Sequence, residues 1–359
     1  MRENKKVRVV CGMSGGVDSA VAAHVLKQDG YDVIGVFMKN WQDDGQGCNA
    51  AEDYEDVKSV CNAIGISYYT VNFEQEYYDR VFKYFLEEYS LGRTPNPDVL
   101  CNAEIKFAAF LDYARMMGAD HLATGHYARL RAAEQKHLLK AADMGKDQTY
   151  FLCMLTQQQI SCAMFPIGDM QKPQVRAIAS ELGLDVAKKK DSTGICFIGE
   201  RKFRDFLQGF LPAQKGDIKT PEGKVVGQHQ GVIYYTLGQR RGLDIGGRND
   251  GTGERWFVVD KDVKSNVLIV EQGETERLFS KALVATGMNY IAGRPSGSFE
   301  CTAKFRYRQP DQKVMVTRSG EGEHIEFEER QRAVTPGQYA VLYSGDECLG
   351  GGVIDEVVF

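Results

Sequence analysis

Short β-branched runs alternate with helically spaced apolar residues over the first ~130 positions, the pattern of repeated βαβ units. Val7 to Val10, Val33 to Phe37, Tyr68 to Val71 and His121 to Thr124 are compact apolar runs that predict strands. Between them, Ala20 to Leu26, Tyr54 to Asn62 and Ile105 to Met117 repeat apolar residues at helical spacing. The alternation predicts an α/β fold with a doubly wound parallel sheet. In such a sheet ligands bind outside the carboxyl ends of the strands, so the loops after Val10, Phe37 and Thr124 should converge on one site. Beyond about Arg204 glycine and proline become frequent and helical periodicity fades. Thr220-Pro221-Glu222-Gly223 separates two short strand patterns, Trp256 to Val259 and Val267 to Val270 look paired, and Ser344 to Glu347 reads as a hairpin turn between Tyr339 to Tyr343 and Leu349 to Ile354. The expected bodies are residues 1–205, a small central β-rich domain over 206–282 and a C-terminal β-barrel over 283–359.

Composition removes some functions. Of the 359 residues, 43% are hydrophobic and 26% charged, and no apolar run approaches the ~20 residues of a membrane span. Met1 to Lys6 leads straight into the first strand without a signal-like apolar core, so a cytosolic location is expected. The nine cysteines are scattered and form no C-x-x-C pair, which suggests neither a disulfide framework nor a zinc cage. Most should be small buried hydrophobes. A net charge of −5 argues against indiscriminate binding to nucleic acid. Local basic stretches remain: six Lys/Arg against three acids from Val186 to Asp205, and five against two from Glu300 to Arg318. A solvated face is the simplest reading of each.

The first strand runs into Gly12-Met13-Ser14-Gly15-Gly16-Val17-Asp18-Ser19 and then into a helix. Glycines let backbone amides approach an anion, and the helix N-terminus adds its positive dipole end. Ser14 and Ser19 can donate further hydrogen bonds. Asp18 beside phosphates needs a cation, for which Mg²⁺ is expected. The segment fits neither G-x-x-x-x-G-K-[ST] nor G-x-G-x-x-G, which disfavours kinase-like transfer and dinucleotide binding. It resembles the loop of the N-type ATP pyrophosphatases. That resemblance implies ATP as cofactor, an adenylated acceptor, and AMP and pyrophosphate as products, without naming the acceptor. Gly35 to Met38 is placed to meet the adenine, and Thr124-Gly125-His126 to close the nucleotide pocket.

Two cysteines stand out by their surroundings. Asn96-Pro97-Asp98 lies on a proline-stiffened segment, and Cys101 follows near a helix start, where a thiol gains thiolate character. An N-cap role for Asp98 and simple burial of Cys101 are the competing readings. Cys196 lies between Gly194 and Gly199, just after Lys188-Lys189-Lys190, whose charges favour thiolate and could equally hold a phosphate backbone. A packed strand cysteine is the alternative there.

Together, the glycine loop, Asn96-Pro97-Asp98 with Cys101, Lys146 to Phe151 and Gly194 to Ile198 resemble the tRNA-specific 2-thiouridylases, a likeness that extends to Lys304 to Arg308. The resemblance implies that Cys196 carries a persulfide whose sulfur attacks C2 either directly or after release as hydrosulfide, that Cys101 attacks the sulfur-sulfur bond and leaves a Cys101–Cys196 disulfide, and that Asp98 serves as general acid/base or holds the base. It implies contacts from Asn96, Pro97 and Asp98 to a flipped uridine. Contacts from Lys146, Asp147, Gln148, Arg306, Tyr307 and Gln338 to tRNA follow too, and His126 could either touch tRNA or complete the ATP pocket. By the same likeness the substrates are tRNAs for Lys, Glu and Gln with uridine at the wobble position. A sulfur-relay protein or cysteine desulfurase would supply the persulfide to a monomeric enzyme with no membrane partner. Two rivals are an adenylating enzyme for a small molecule, which leaves both cysteines without work, and an RNA-binding module with a vestigial loop, which would release no AMP.

Overall fold

The computed structural model describes residues 6–41, 50–191, 203–245 and 253–359. Cys196 and the rest of 192–202 lie outside them. The N-terminal body is a parallel sheet of β1 (Arg8–Met13), β2 (Asp32–Lys39), β3 (Ser67–Asn72), β4 (His121–Ala123) and the two-residue Ala163–Met164, in the order 3-2-1-4 with Ala163–Met164 at the edge. Alternate residues of β1 face opposite layers. Val9, Cys11 and Met13 pack with α1 (Val17–Gln28) and α2 (Ala50–Ile64), while Val10 packs with Phe107 and Phe110 of the helix that starts at Pro97. Both faces are covered, as a parallel sheet requires. All four expected strands and all three expected helices are present, so the doubly wound reading holds.

The central body pairs four strands in the order Trp256–Asp262, Val267–Gln272, Gly216–Lys219, Val225–His229. The turn at Thr220 to Gly223 closes as expected, with Gly223 at φ 87° and the Thr220 amide donating to the Lys224 carbonyl. The C-terminal body is a closed six-stranded antiparallel barrel of Phe279–Tyr290, Phe299–Lys304, Gln312–Ser319, Gly322–Arg332, Tyr339–Ser344 and Glu347–Val358. Sequence pattern did not reveal one joint. The hairpin Ala128–Arg131 and His137–Lys140 leaves the N-terminal body and pairs with the last barrel strand, Leu138 beside Cys348 and Leu139 beside Glu347. Behind it, buried Lys140 pairs with Asp311, which also meets Lys304 at 3.6 Å. No helix among the described residues is long and apolar enough to cross a membrane.

Candidate active site

The loop after β1 is held in shape by its own serines. The Ser14 amide donates to Ser19 Oγ at 3.1 Å, the two hydroxyls lie 3.2 Å apart, and Ser19 Oγ donates to the Gly16 carbonyl. Gly16 caps α1 with no side-chain hydrogen bond, so the first-turn N–H groups face the loop. Gly15 sits at φ 71°, and a Cβ there would come within 2.7 Å of the Asp53 carbonyl oxygen. Gly125, at the end of β4, lies still closer to the loop: its Cβ would stand 2.6 Å from the Ser19 amide nitrogen. Gly12 abuts Phe110 of the Pro97 helix and lies near Met38 at the end of β2. The loops after β1 and β4 thus meet at one point with Met38 beside them, as strand order requires.

Asp18 does face a cation, and among the described residues it is Lys172. The buried ammonium lies 2.7 and 2.8 Å from the two Asp18 oxygens, and the Tyr127 hydroxyl donates to the same carboxylate at 2.8 Å. Burial, then the Asp18 charge, push the Tyr127 phenol far up and keep it a donor. A lone carboxylate with both oxygens on a lysine does not make a resident metal site, and no cluster of three potential ligands occurs among the described residues. Mg²⁺ fits here only as part of the incoming nucleotide. Sequence reading missed Lys172 because nothing local marks it: it opens the helix Lys172–Glu181 beside Pro173, about 150 residues from its partner.

Asn96 caps the helix that starts at Pro97, its Oδ1 accepting from the Val99 amide, and Asp98 lies in the first turn. Cys101 is buried and begins a π-helical stretch, Cys101–Ala109, of the kind found at functional sites. Burial raises the Asp98 pKa, and the Lys106 charge offsets part of that rise. His126 is also buried, between the rings of Phe107 and Phe165, with Nδ1 2.7 Å from Thr124 Oγ1. Burial, and then Lys106, hold it well below its usual range, so it is neutral and faces inward.

The barrel holds the proline segment in place. Gln338 Nε2 donates to the Thr94 and Pro95 carbonyls, and the Thr94 amide donates to the Pro336 carbonyl. Asn96, Pro97 and Asp98 open onto a cavity of about 750 Å³, whose other walls include Tyr235 and Gln239 of the central body and Gln338 of the barrel. All three bodies therefore share one cleft.

The remaining candidates divide. Lys146 is half-exposed and pairs with Asp191 at 2.6 Å. Asp147 is buried and accepts from the Ala141 amide and the Thr149 hydroxyl, which holds the turn. Gln148 accepts from the Tyr127 amide. The Phe151 ring packs against Tyr307, 4.4 Å between centroids and tilted at 44°, and its carbonyl accepts from Asn102, next to Cys101. Arg306 donates to the carbonyls of Leu237 and Ala333, joining the barrel to the central body. Lys189 pairs with Asp53 at 2.6 Å and with Asp56.

Family models classify the three bodies. One described as a tRNA methyl transferase HUP domain matches residues 7–200, one described as a tRNA methyl transferase PRC-barrel domain matches 204–272, and one described as an aminomethyltransferase β-barrel domain matches 280–354. The chain is 59% identical to tRNA-specific 2-thiouridylase MnmA of Lysinibacillus sphaericus, over 99% of this chain and 96% of that one. It is 58% identical to the protein of that name from Streptococcus uberis, over 99% and 97%. It is 60% identical to tRNA-specific 2-thiouridylase MnmA 1 of Geobacillus kaustophilus, again over 99% and 97%. The chain belongs to the tRNA-specific 2-thiouridylase family.

Proposed function

We propose that the protein replaces O2 of the wobble uridine in tRNAs for Lys, Glu and Gln with sulfur, consuming ATP and forming AMP and pyrophosphate. It would act as a cytosolic monomer fed by a sulfur-relay protein or cysteine desulfurase. The observation that carries the reading is the three-walled cleft. Asn96 to Asp98 face a cavity large enough for a flipped base, and their helix packs through Phe110 against Gly12 of the nucleotide loop.

Oxide is a poor leaving group, so the oxygen must first be made a good one. ATP enters as substrate with its Mg²⁺, its phosphates on the Gly12 to Ser19 loop. Asp98 takes the N3 proton as uracil O2 attacks the α-phosphorus and pyrophosphate leaves. The terminal sulfur of a Cys196 persulfide then attacks C2 and AMP departs. Cys101 attacks the Cys196 sulfur of the remaining sulfur-sulfur bond, releasing 2-thiouridine and leaving a Cys101–Cys196 disulfide, which an external thiol reduces. Lys146 and Tyr307 grip the RNA, and Gln338 positions the segment that meets the base.

The test supplies ATP, Mg²⁺, a persulfide source and unmodified tRNA, then digests the RNA. The expected product is 2-thiouridine with one AMP per sulfur. A gain of CH₂ in place of the oxygen-to-sulfur exchange would favour methyl transfer and end this reading.

The raised Asp98 pKa gives the reaction a pH signature. The basic form is needed, so the single-turnover rate should climb as pH rises through a value above the ordinary 3.8. Lys106→Met removes the charge that lowers it and should move this limb to higher pH. Asp98→Asn should cost about a hundredfold or more and leave the residual rate flat across the acid range. An unchanged limb in Asp98→Asn would assign it to another group.

A further inference from the structure

The nucleotide loop carries a charge that works against its ligand. Asp18 lies in the first turn of α1, where the N–H groups that suit an anion emerge, so an arriving polyphosphate meets a negative charge already in place. Among the described residues, Lys172 is the one cation within ion-pair distance of Asp18, at 2.7 and 2.8 Å from its two oxygens. Tyr127 adds a hydrogen bond but no charge, because its phenol stays protonated. The other carboxylates nearby are differently served. Asp191 lies 2.8 Å from Lys172 Nζ, but it also has Lys146 and Arg176 at 2.6 and 2.8 Å and keeps both without Lys172. Asp143 accepts from the backbone amides of Lys172 and Gly145. Three carboxylates, Asp18, Asp143 and Asp191, thus stand with three cations, Lys172, Lys146 and Arg176, and Asp18 is the one that depends on Lys172 for its counter-charge. The ammonium is buried and is delivered by a packed element: Val175 and Ala179 of the Lys172–Glu181 helix share a core with Ala20 to Ala23 of α1.

We infer that Lys172 sets the affinity of the loop for ATP: its buried ammonium cancels the Asp18 charge and so lets the phosphates settle on Gly12 to Ser19. This rests on ATP lying on that loop, as the reaction proposed above requires. Two roles for a lysine at this point make opposite predictions. If Lys172 only anchored its helix, the loss caused by removing it would persist whatever stood at position 18. If it cancels charge, Asp18 is the cause of that loss, and removing Asp18 as well repairs it.

Titration calorimetry of the full chain with ATP and Mg²⁺, without tRNA, reads this directly. Lys172→Met should weaken ATP about tenfold or more, and the loss should shrink as salt rises, because an uncancelled carboxylate repels through space. Lys172→Arg should keep most of the affinity. Asp18→Asn combined with Lys172→Met should recover about tenfold over Lys172→Met alone. A double variant as weak as Lys172→Met overturns the inference, and so does wild-type affinity in Lys172→Met. Asp18→Asn alone keeps the ammonium and removes the charge it cancels, so it should bind ATP about threefold more tightly than wild type. Weaker binding there overturns the inference too, and that arm does not depend on whether Lys172→Met folds. Absence of 2-thiouridine from wild type that binds ATP would instead sink the reaction alone.

Discussion

Gly125→Ala is expected to abolish ATP-dependent activity. The new methyl would sit 2.6 Å from the Ser19 amide nitrogen and 2.7 Å from the Asp18 carbonyl carbon, both backbone atoms of the first turn of α1. Neither can rotate away as a side-chain tip could, so the β4 loop and α1 must separate. Overpacking of this kind costs about 1–3 kcal/mol or more, and here the displaced atoms are those that shape the phosphate loop. Titration calorimetry with ATP should show binding lost, while thermal unfolding shows a moderate fall. Gly30→Ala is the control: Gly30 has positive φ, 89°, but no atom lies within 4 Å of its Cβ. It should cost about 1 kcal/mol from backbone strain alone and retain activity. Normal ATP affinity in Gly125→Ala would show that the two loops do not form one pocket.

The second large effect belongs to Cys101. Serine preserves the buried shape but is a far weaker nucleophile toward a sulfur-sulfur bond, so Cys101→Ser should lower multiple-turnover 2-thiouridine formation by about a thousandfold or more. Adenylation does not need the thiol. AMP should still appear when tRNA is present, and stability should change little. Cys11→Ala provides the contrast. That thiol, buried on β1, is pushed up to about 12 by desolvation and then by neighbouring Cys61, so it stays protonated and inert. Its loss should leave turnover within about threefold and appear only as a packing defect. Full activity in Cys101→Ser would remove this residue from the chemistry.

Much of the fold follows from local pattern because local physics dominates there. The parallel strands beginning at Arg8 and Asp32 are apolar runs largely buried in the sheet, and the Ser344 to Glu347 turn carries its own hairpin chemistry. The fifth strand, Ala163–Met164, spans only two residues and offers no period to detect. The Ala128 to Lys140 hairpin has readable strand residues, but its partner lies more than 200 positions away, beyond any local signal. The site divides in the same way. Gly15 and Gly125 are legible as glycines at strand ends, and Asp98 and Cys101 stand out beside their prolines. Lys172 is an ordinary helix-opening lysine until folding brings Asp18 and Asp191 to it. Asp147 likewise shows its buried hydrogen bonds to the Ala141 amide and the Thr149 hydroxyl only once the chain is folded.

The shared edge between the hairpin and the final barrel strand also sets a scale of length. Backbone hydrogen bonds and the buried Lys140–Asp311 pair weld the barrel to the nucleotide body, where domains joined by a linker would ordinarily swing. In the proposed reaction, the span from Tyr307 to Asp98 is then a property of the protein, not of the encounter. On that proposal the enzyme works as a caliper: it would choose its uridine by how far that nucleotide lies from Tyr307, and a stem lengthened by a base pair would present the wrong nucleotide to the cleft.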